Sequence, residues 1–393
     1  MILFALCSLL FTLLPLMATK DTFNTSLADS QATTVQPIAP EKFDRARYAD
    51  YAAALDERCK AFWEADEGVL VYRRMRVKEV FAEDCHDPKR SLAWQLGALE
   101  QSMRFEADIP NFIEPWYGLG TVASAYGFDY RWEPGLAPAV DGKFGSTAEL
   151  VAAPFCPVAE TPIGRHTLEM VEYFLDRTKG EIPMSYCDVQ SPLNTLSNII
   201  DSNQFYLDFY LDPDSMTIAM ERTADLLADF TEAQRKLIGE ALVKPGHGFA
   251  SSRMFDGLGM SDDTVTMLSP DLYFPVAVPA MQRAGNRFGG TVFHSCGNWS
   301  DKKEEIARIE GIRMADGAFS LATDPGANPV EGFAEAFAGT GVVLNARIVG
   351  PAEVVTEKVQ ALWRPGMKLI VVTYCETPEE QADVYRKIHE ICQ

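Results

Sequence analysis

The chain has 393 residues, 47% of them hydrophobic, and a formal net charge of −21 from 56 acidic and 35 basic side chains. That is long enough for one barrel-sized domain with extensions. So acidic a surface, with no basic run, argues against nucleic acid or an anionic membrane as partner. The eight cysteines are spread too thinly for a disulfide scaffold. Most are expected to be reduced and buried, with a minority carrying chemistry.

Residues 1–17 are apolar and carry no charge. Two readings of this leader stand side by side. One is a signal peptide lacking the usual basic start, with Leu16-Met17-Ala18 as its cleavage context; the other is a true translation start at Met17. A membrane anchor is marginal at this length. Residues 21–40 are polar and aperiodic, a flexible lead-in. Residues 1–40 therefore stand apart from a folded unit at 41–393. No other segment is apolar enough to span a bilayer, and a cytoplasmic location is expected unless the leader exports the chain.

Residues 41–105 read as a mostly helical extension, with helix-spaced apolar positions over 48–63 and 92–105 and a short strand at VLVYR (69–73). FIEPW (112–116) is strand-like, 118–127 turns into a short helix, and FDYRW (128–132) is extended again. A helix at 168–178 precedes a strand at IPMSYCDV (182–189). A long helical region over 205–243 is broken at Asp212-Pro213. HGFASSRMF (247–255) reads as a strand and 272–288 as a helix. Strands at 290–296, 312–318, 341–348 and 368–375 then alternate with helices at 301–310, 329–339, 351–363 and 377–392. Apolar strands alternating with amphipathic helices mark a parallel sheet covered by helices. So many units in series predict a single closed (β/α)8 TIM barrel with an N-terminal helical extension. No glycine-rich fingerprint supports a dinucleotide-binding fold.

Active-site residues of such a barrel sit at the carboxyl ends of its strands. The polar residues found there are Asp188, His294, Cys296, Asp316, Asn345 and Cys375. His294 and Cys296 lie two apart at the end of an apolar strand, so both side chains point to one side. Cys375 ends another strand 79 residues later, and closure brings that terminus to the same mouth. An imidazole and two thiolates suit Zn(2+), and three protein ligands leave a fourth position for substrate. Two thiolates cancel the metal's formal charge, which favours activation of a substrate thiol for alkyl transfer over hydrolysis. The competing reading is that H-x-C alone is a weak motif and strand cysteines are common core residues.

At these positions, VFHSCGN (292–298) and VVTYCETP (371–378), the sequence resembles the uroporphyrinogen decarboxylase superfamily, most of all its zinc methyltransferase branch. IEPWYGLG (113–120), SYCDVQSPLNTLS (185–197) and GMSDDTVTMLSPDLY (259–273) share the likeness, which runs from about residue 45 to the end. The resemblance implies a (β/α)8 barrel, bound zinc, and methyl transfer between a corrinoid (cobalamin) on a partner protein and a small thiol such as coenzyme M. It implies His294, Cys296 and Cys375 as zinc ligands and places Asp188 at the barrel mouth. Asp188 is equally suited to hydrogen-bonding its own loop. The chain carries no D-x-H-x-x-G corrinoid motif, so that cofactor is expected to arrive with the partner. The metal-free decarboxylase branch fits less well, because its R-Q-A-G-R stretch is missing. The nearest basic cluster, YRRMRVK (72–78), reads as a solvated face.

Glu114 is a candidate to orient substrate or to accept from a ligand histidine; capping the following helix is the other reading. Asp262 and Asp263 precede a helix, where capping accounts for one of them. Asp263 is also a candidate fourth ligand or a proton acceptor for an incoming thiol. Tyr273 is a candidate pocket residue or a helix-packing one. Asn345 and Arg347 are candidates to bind an anionic part of the acceptor. His247 reads as structural, near a strand start on the face away from the chemistry. Two rival functions remain: a metal-free lyase, and a barrel that only carries a small ligand.

Overall fold

The computed structural model describes residues 33–393 except 83, 116, 118–119 and 133–136. The leader at 1–17 and parts of the stretches read as strand or turn at 112–120 therefore lie outside the described residues. Among those described, no helix is long and apolar enough to cross a membrane.

The chain enters through α1 (Arg45–Glu64), which starts where the Asp44 carboxylate accepts from the Arg47 backbone. It continues into β1 (Gly68–Arg73) and α2 (Pro88–Ser102). A short antiparallel ribbon, β2 (Asp129–Arg131) with β3 (Ala139–Asp141), precedes α3 (Thr147–Ala152). Four helices follow: α4 (Pro162–Thr178), α5 (Pro192–Ile199), α6 (Ser202–Leu211) and α7 (Pro213–Ile238). Asp212 separates the last two, and its carboxylate caps α7 by accepting from Ser215 N. The rest alternates strictly: β4 (Leu258–Ser261), α8 (Pro270–Gly285), β5 (Thr291–Ser295), α9 (Lys303–Ile306), β6 (Ile312–Ala318), α10 (Phe333–Phe337), β7 (Val343–Arg347), α11 (Ala352–Leu362), β8 (Lys368–Thr373) and α12 (Pro378–Ile391).

Six strands form one parallel sheet in the order β1-β8-β7-β6-β5-β4. Between β4 and β1 the ring is completed by the segments at 108–114 and 182–191, which are bonded at single points and not as ladders. Asp108 N donates to Val71 O, Ile113 N to Pro183 O, Ser185 N to Ile113 O and Ser261 N to Val189 O. Pro110 and Pro183 interrupt these two segments and Pro115 ends the first, and each removes a backbone donor that a ladder needs. The result is the barrel architecture expected from the alternation.

Alternation along each strand divides the core. Leu70, Tyr72, Val292, Met314, Val343, Ile370 and Val372 gather in one cluster that fills the ring. Their neighbours in the opposite phase, Val71, Phe293, Ala315, Leu344, Leu369 and Val371, join the larger cluster under the helices. The register then sets Ser261, His294, Asp316, Asn345 and Ile370 side by side on β4 to β8. All but the last are polar, so the upper layer of the barrel interior is hydrophilic.

Several expectations are corrected. HGFASSRMF (247–255) is a turn-rich loop, and the strand is β4, three residues later. Gly246, Gly248 and Gly257 all have positive φ, which breaks an extended run there. The ribbon at 129–131 is outside the barrel sheet. Helices expected over ten or so residues at 301–310 and 329–339 shrink to α9 and α10, each about one turn. YRRMRVK is no solvated face: Arg73 and Arg74 are 3% and 7% exposed. Arg73 ends β1, the first strand of the ring, and Arg74 follows it, so both project into protein and not into solvent.

Candidate functional site

The site is built at the carboxyl ends of β4 to β7. His294 and Asp316 are register partners on β5 and β6, and His294 Nδ1 lies 2.5 Å from Asp316 Oδ2. Asn345, the partner of Asp316 on β7, donates from Nδ2 to Asp316 Oδ1 at 2.5 Å. Two residues on, Arg347 donates from Nε to Asp316 Oδ2 at 2.9 Å. All four acceptor and donor positions follow from the parallel register together with the two-residue period of the strand.

With Nδ1 engaged by Asp316, His294 turns Nε2 toward Cys296 Sγ, 3.4 Å away. The backbone N–H of Cys296 donates to Asp263 Oδ1 at 2.7 Å. The chain is held tight behind it: an added Cβ at Gly297 would come within 3.0 Å of Thr266 Cγ2. Asp263, His294 and Cys296 each offer a ligand atom, and these atoms all lie within 4.8 Å of one another. Nitrogen, sulfur and carboxylate oxygen are all ligands of zinc. A carboxylate on the far ring nitrogen is the usual support of a metal-bound histidine. The residues present therefore fit a divalent metal.

Electrostatics agree with this. With His294 neutral, as a metal-bound imidazole is, Asp263, Cys296, Asp316 and Arg347 leave two negative charges, the charge a divalent cation supplies; with no ion bound, a proton on His294 offsets one of them. Burial alone would depress the His294 imidazolium, but Asp316 and Cys296 outweigh it and push it up to about 10. Burial would raise the Asp316 carboxyl, yet Arg347 and His294 pull it down to about 2. Burial would also raise the Cys296 thiol, and His294 and Arg347 lower it overall. Phe249 packs edge-on against the His294 ring, with centroids 5.8 Å apart.

Cys375, the third ligand expected from the sequence, is not part of this group. Position 375 continues the odd phase of β8, and its side chain sits in the cluster under the helices. Thr373, in the same phase, donates to Gln381 of α12. The charged neighbours of Cys375 are Glu380 and Arg73, and burial, then Glu380, push its thiol up to about 12. Tyr374 takes the inward position. It packs against the cluster inside the ring, beside Arg74 and Arg347.

The remaining candidates are dispersed around the mouth. Asp188 is 5% exposed, accepts from Gln190 of its own loop at 3.1 Å, and lies 3.5 Å from Ser261 Oγ. Glu114 accepts from a histidine, but from His247, at 2.9 Å. His247 is thereby brought to the mouth, against the reading that placed it on the opposite face. Glu114, Arg74 and Gly248 line one cavity together with Phe81 and Asn111. Tyr273 lies behind the site: it is fully buried, and its hydroxyl donates to Asp262 Oδ2 at 2.7 Å. Asp262 also accepts from Ser191 at 2.5 Å and makes no capping bond to the 3-10 turn at Asp263–Met267. Asn345 is fully buried, with its Oδ1 lacking a hydrogen-bond partner.

Sequence reasoning listed Asp316 as a strand-end residue without giving it a role, and gave none to Arg74. The signal for Asp316 was its position in IRMADGA, in phase with the inward Met314. Arg74 is in phase with the inward Leu70 and Tyr72.

The family model described as Uroporphyrinogen decarboxylase (URO-D) matches residues 64–378. No curated protein matches the sequence. Among solved structures, a methyltransferase from Methanosarcina mazei is similar over 86% of this chain and 98% of its own, with 16% identity and a TM-score of 0.58. Likeness at that identity speaks to the fold.

Proposed function

Because the chain belongs to the uroporphyrinogen decarboxylase family, we propose that it is a zinc-dependent methyltransferase, moving a methyl group between a corrinoid protein and a thiol or similar soft nucleophile. The observation that carries this reading is the convergence of His294, Cys296 and Asp263 at the mouth of the barrel. Zinc bound there would lower the pKa of a substrate thiol and hold it as a thiolate.

The protein's own residues prepare that site. Asp316 fixes the His294 ring with Nε2 directed at the metal position. Arg347 balances Asp316, so that the charge of Asp316 is spent on orientation. Asp263 holds the Cys296 backbone and with it the direction of the thiol. Asn345 completes the lone pairs of Asp316 and presents its own Oδ1. The corrinoid would be carried by a partner that docks over the strand ends.

Elemental analysis of the purified protein and of Cys296→Ala and His294→Ala tests the reading. Stoichiometric zinc is expected in the wild type and loss in both variants, together with methyl transfer from methylcobalamin to a small thiol. A wild type free of zinc that regains no activity on zinc addition removes the proposal. One observation favours the second reading, a metal-free lyase for an anionic substrate: Arg74 is buried at the mouth with Nη2 lacking a partner. Retained activity in a chelator-treated, zinc-free protein would select it.

A further inference from the structure

We propose that Asp263 is the third protein ligand of the metal, and that Cys375 is not a ligand. The inference rests on the zinc reading above and concerns which side chains hold the ion.

Three independent observations meet at Asp263. Its carboxylate lies with His294 Nε2 and Cys296 Sγ in the one group of described residues whose ligand atoms all fall within 4.8 Å of each other. Its Oδ1 accepts the Cys296 N–H, which pins the carboxylate beside the thiol and leaves the second oxygen for an ion. It also supplies the charge: with Cys296 it gives two negative ligands for a divalent cation, while the Asp316 carboxylate is matched by Arg347.

Cys375 is removed by where its side chain packs. It lies two residues beyond the end of β8, and its side chain is buried in the cluster under the helices with Val371, on the side where Thr373 donates to Gln381 of α12. Its charged neighbours there are Glu380 and Arg73, and Tyr374 holds the inward position beside Arg74 and Arg347.

The resulting ligand set has one thiolate, one imidazole and one carboxylate. It is harder than a two-thiolate site and closer in character to sites that bind zinc, cobalt and iron alike. It leaves one tetrahedral position open.

The test uses the full chain loaded with Co(II), read by its thiolate-to-cobalt charge-transfer band, with zinc content measured in parallel. The wild type should show the band of a single thiolate, and Cys375→Ser should keep both metal content and band. Cys296→Ser should lose the band. Asp263→Asn, which keeps the acceptor for Cys296 N–H but loses the charge, should weaken metal affinity tenfold or more. Asp263→Cys should bind metal with a band about doubled, a gain that misfolding does not produce. A halved band or lost metal in Cys375→Ser overturns this ligand set and leaves the zinc reading standing. Failure of the wild type to bind either ion overturns both.

Discussion

His294 and Asp316 are register partners on adjacent parallel strands, and their side chains meet at 2.5 Å inside the barrel mouth. The carboxylate is 1% exposed and has no water to fall back on. Its charge is answered by Arg347 and its direction is used on His294.

Asp316→Asn should therefore cost metal affinity without dismantling the barrel. The amide keeps the shape but presents one acceptor in place of two and no charge. Ring orientation and ligand basicity both suffer, and losses of about 10–100-fold are usual for such partners. Competition with a chromogenic chelator reads the effect. Unchanged affinity would mean that Asp316 serves the fold alone.

Arg347→Met tests the other half of the pair. It removes the guanidinium while Asp316 stays buried, leaving only His294 to answer the charge. Breaking a buried pair from one side costs on the order of 3–5 kcal/mol. Urea denaturation should register a loss of that size. The double variant Arg347→Met with Asp316→Leu should recover part of it, since an apolar pair leaves no charge stranded.

Much of this geometry is legible in the sequence, and the part that is not has a physical cause. The apolar strands at 291–295, 312–318, 343–347 and 368–373 announced themselves by composition, and the period of two placed His294 and Cys296 together. The same period, applied from Ile370 and Val372, would have turned Cys375 outward. That step needs to know which phase of β8 faces inward, and an apolar strand buried on both sides does not reveal it. The stretches 112–116 and 182–189 were read as strands because their side chains are largely apolar. Their prolines deny them ladders, although they still fill strand positions in the ring. His247 was misplaced because its neighbours alternate like a strand, while three positive-φ glycines fold them into a loop.

Asp262 should make stability depend on pH. Burial raises its carboxyl from 3.8 to about 6, against the hydrogen bonds from Ser191 and Tyr273. Between those values the native state keeps a proton that the unfolded chain has released. The contribution is full below the unfolded pKa and is lost as pH rises through about 6. A shift of that size corresponds to roughly 2–3 kcal/mol. Thermal melts of wild type and Asp262→Asn from pH 4 to 7 isolate it: the wild type should lose ground against the variant as pH rises. A constant gap between the two Tm curves would exclude titration of Asp262 in this range.

Gly97 should be intolerant of alanine although it lies inside α2. Helix propensity alone favours alanine over glycine by about 1 kcal/mol. Here an added Cβ would stand 2.0 Å from the Gln36 carbonyl oxygen, a backbone atom that no rotamer change moves. The amino-terminal strap runs over the helix at this point, with Ile38 N donating to Ala93 O at 2.8 Å. Val35 packs beside it in a small cluster with Val77, Val80 and Ala98. Gly97→Ala should therefore lift the strap while α2 itself survives. Hydrogen exchange should accelerate at Ile38 and leave the amides of 92–99 protected, and limited proteolysis should cut within 33–42. Equal protection of the strap in both proteins would show that the backbone at Gln36 yields without cost.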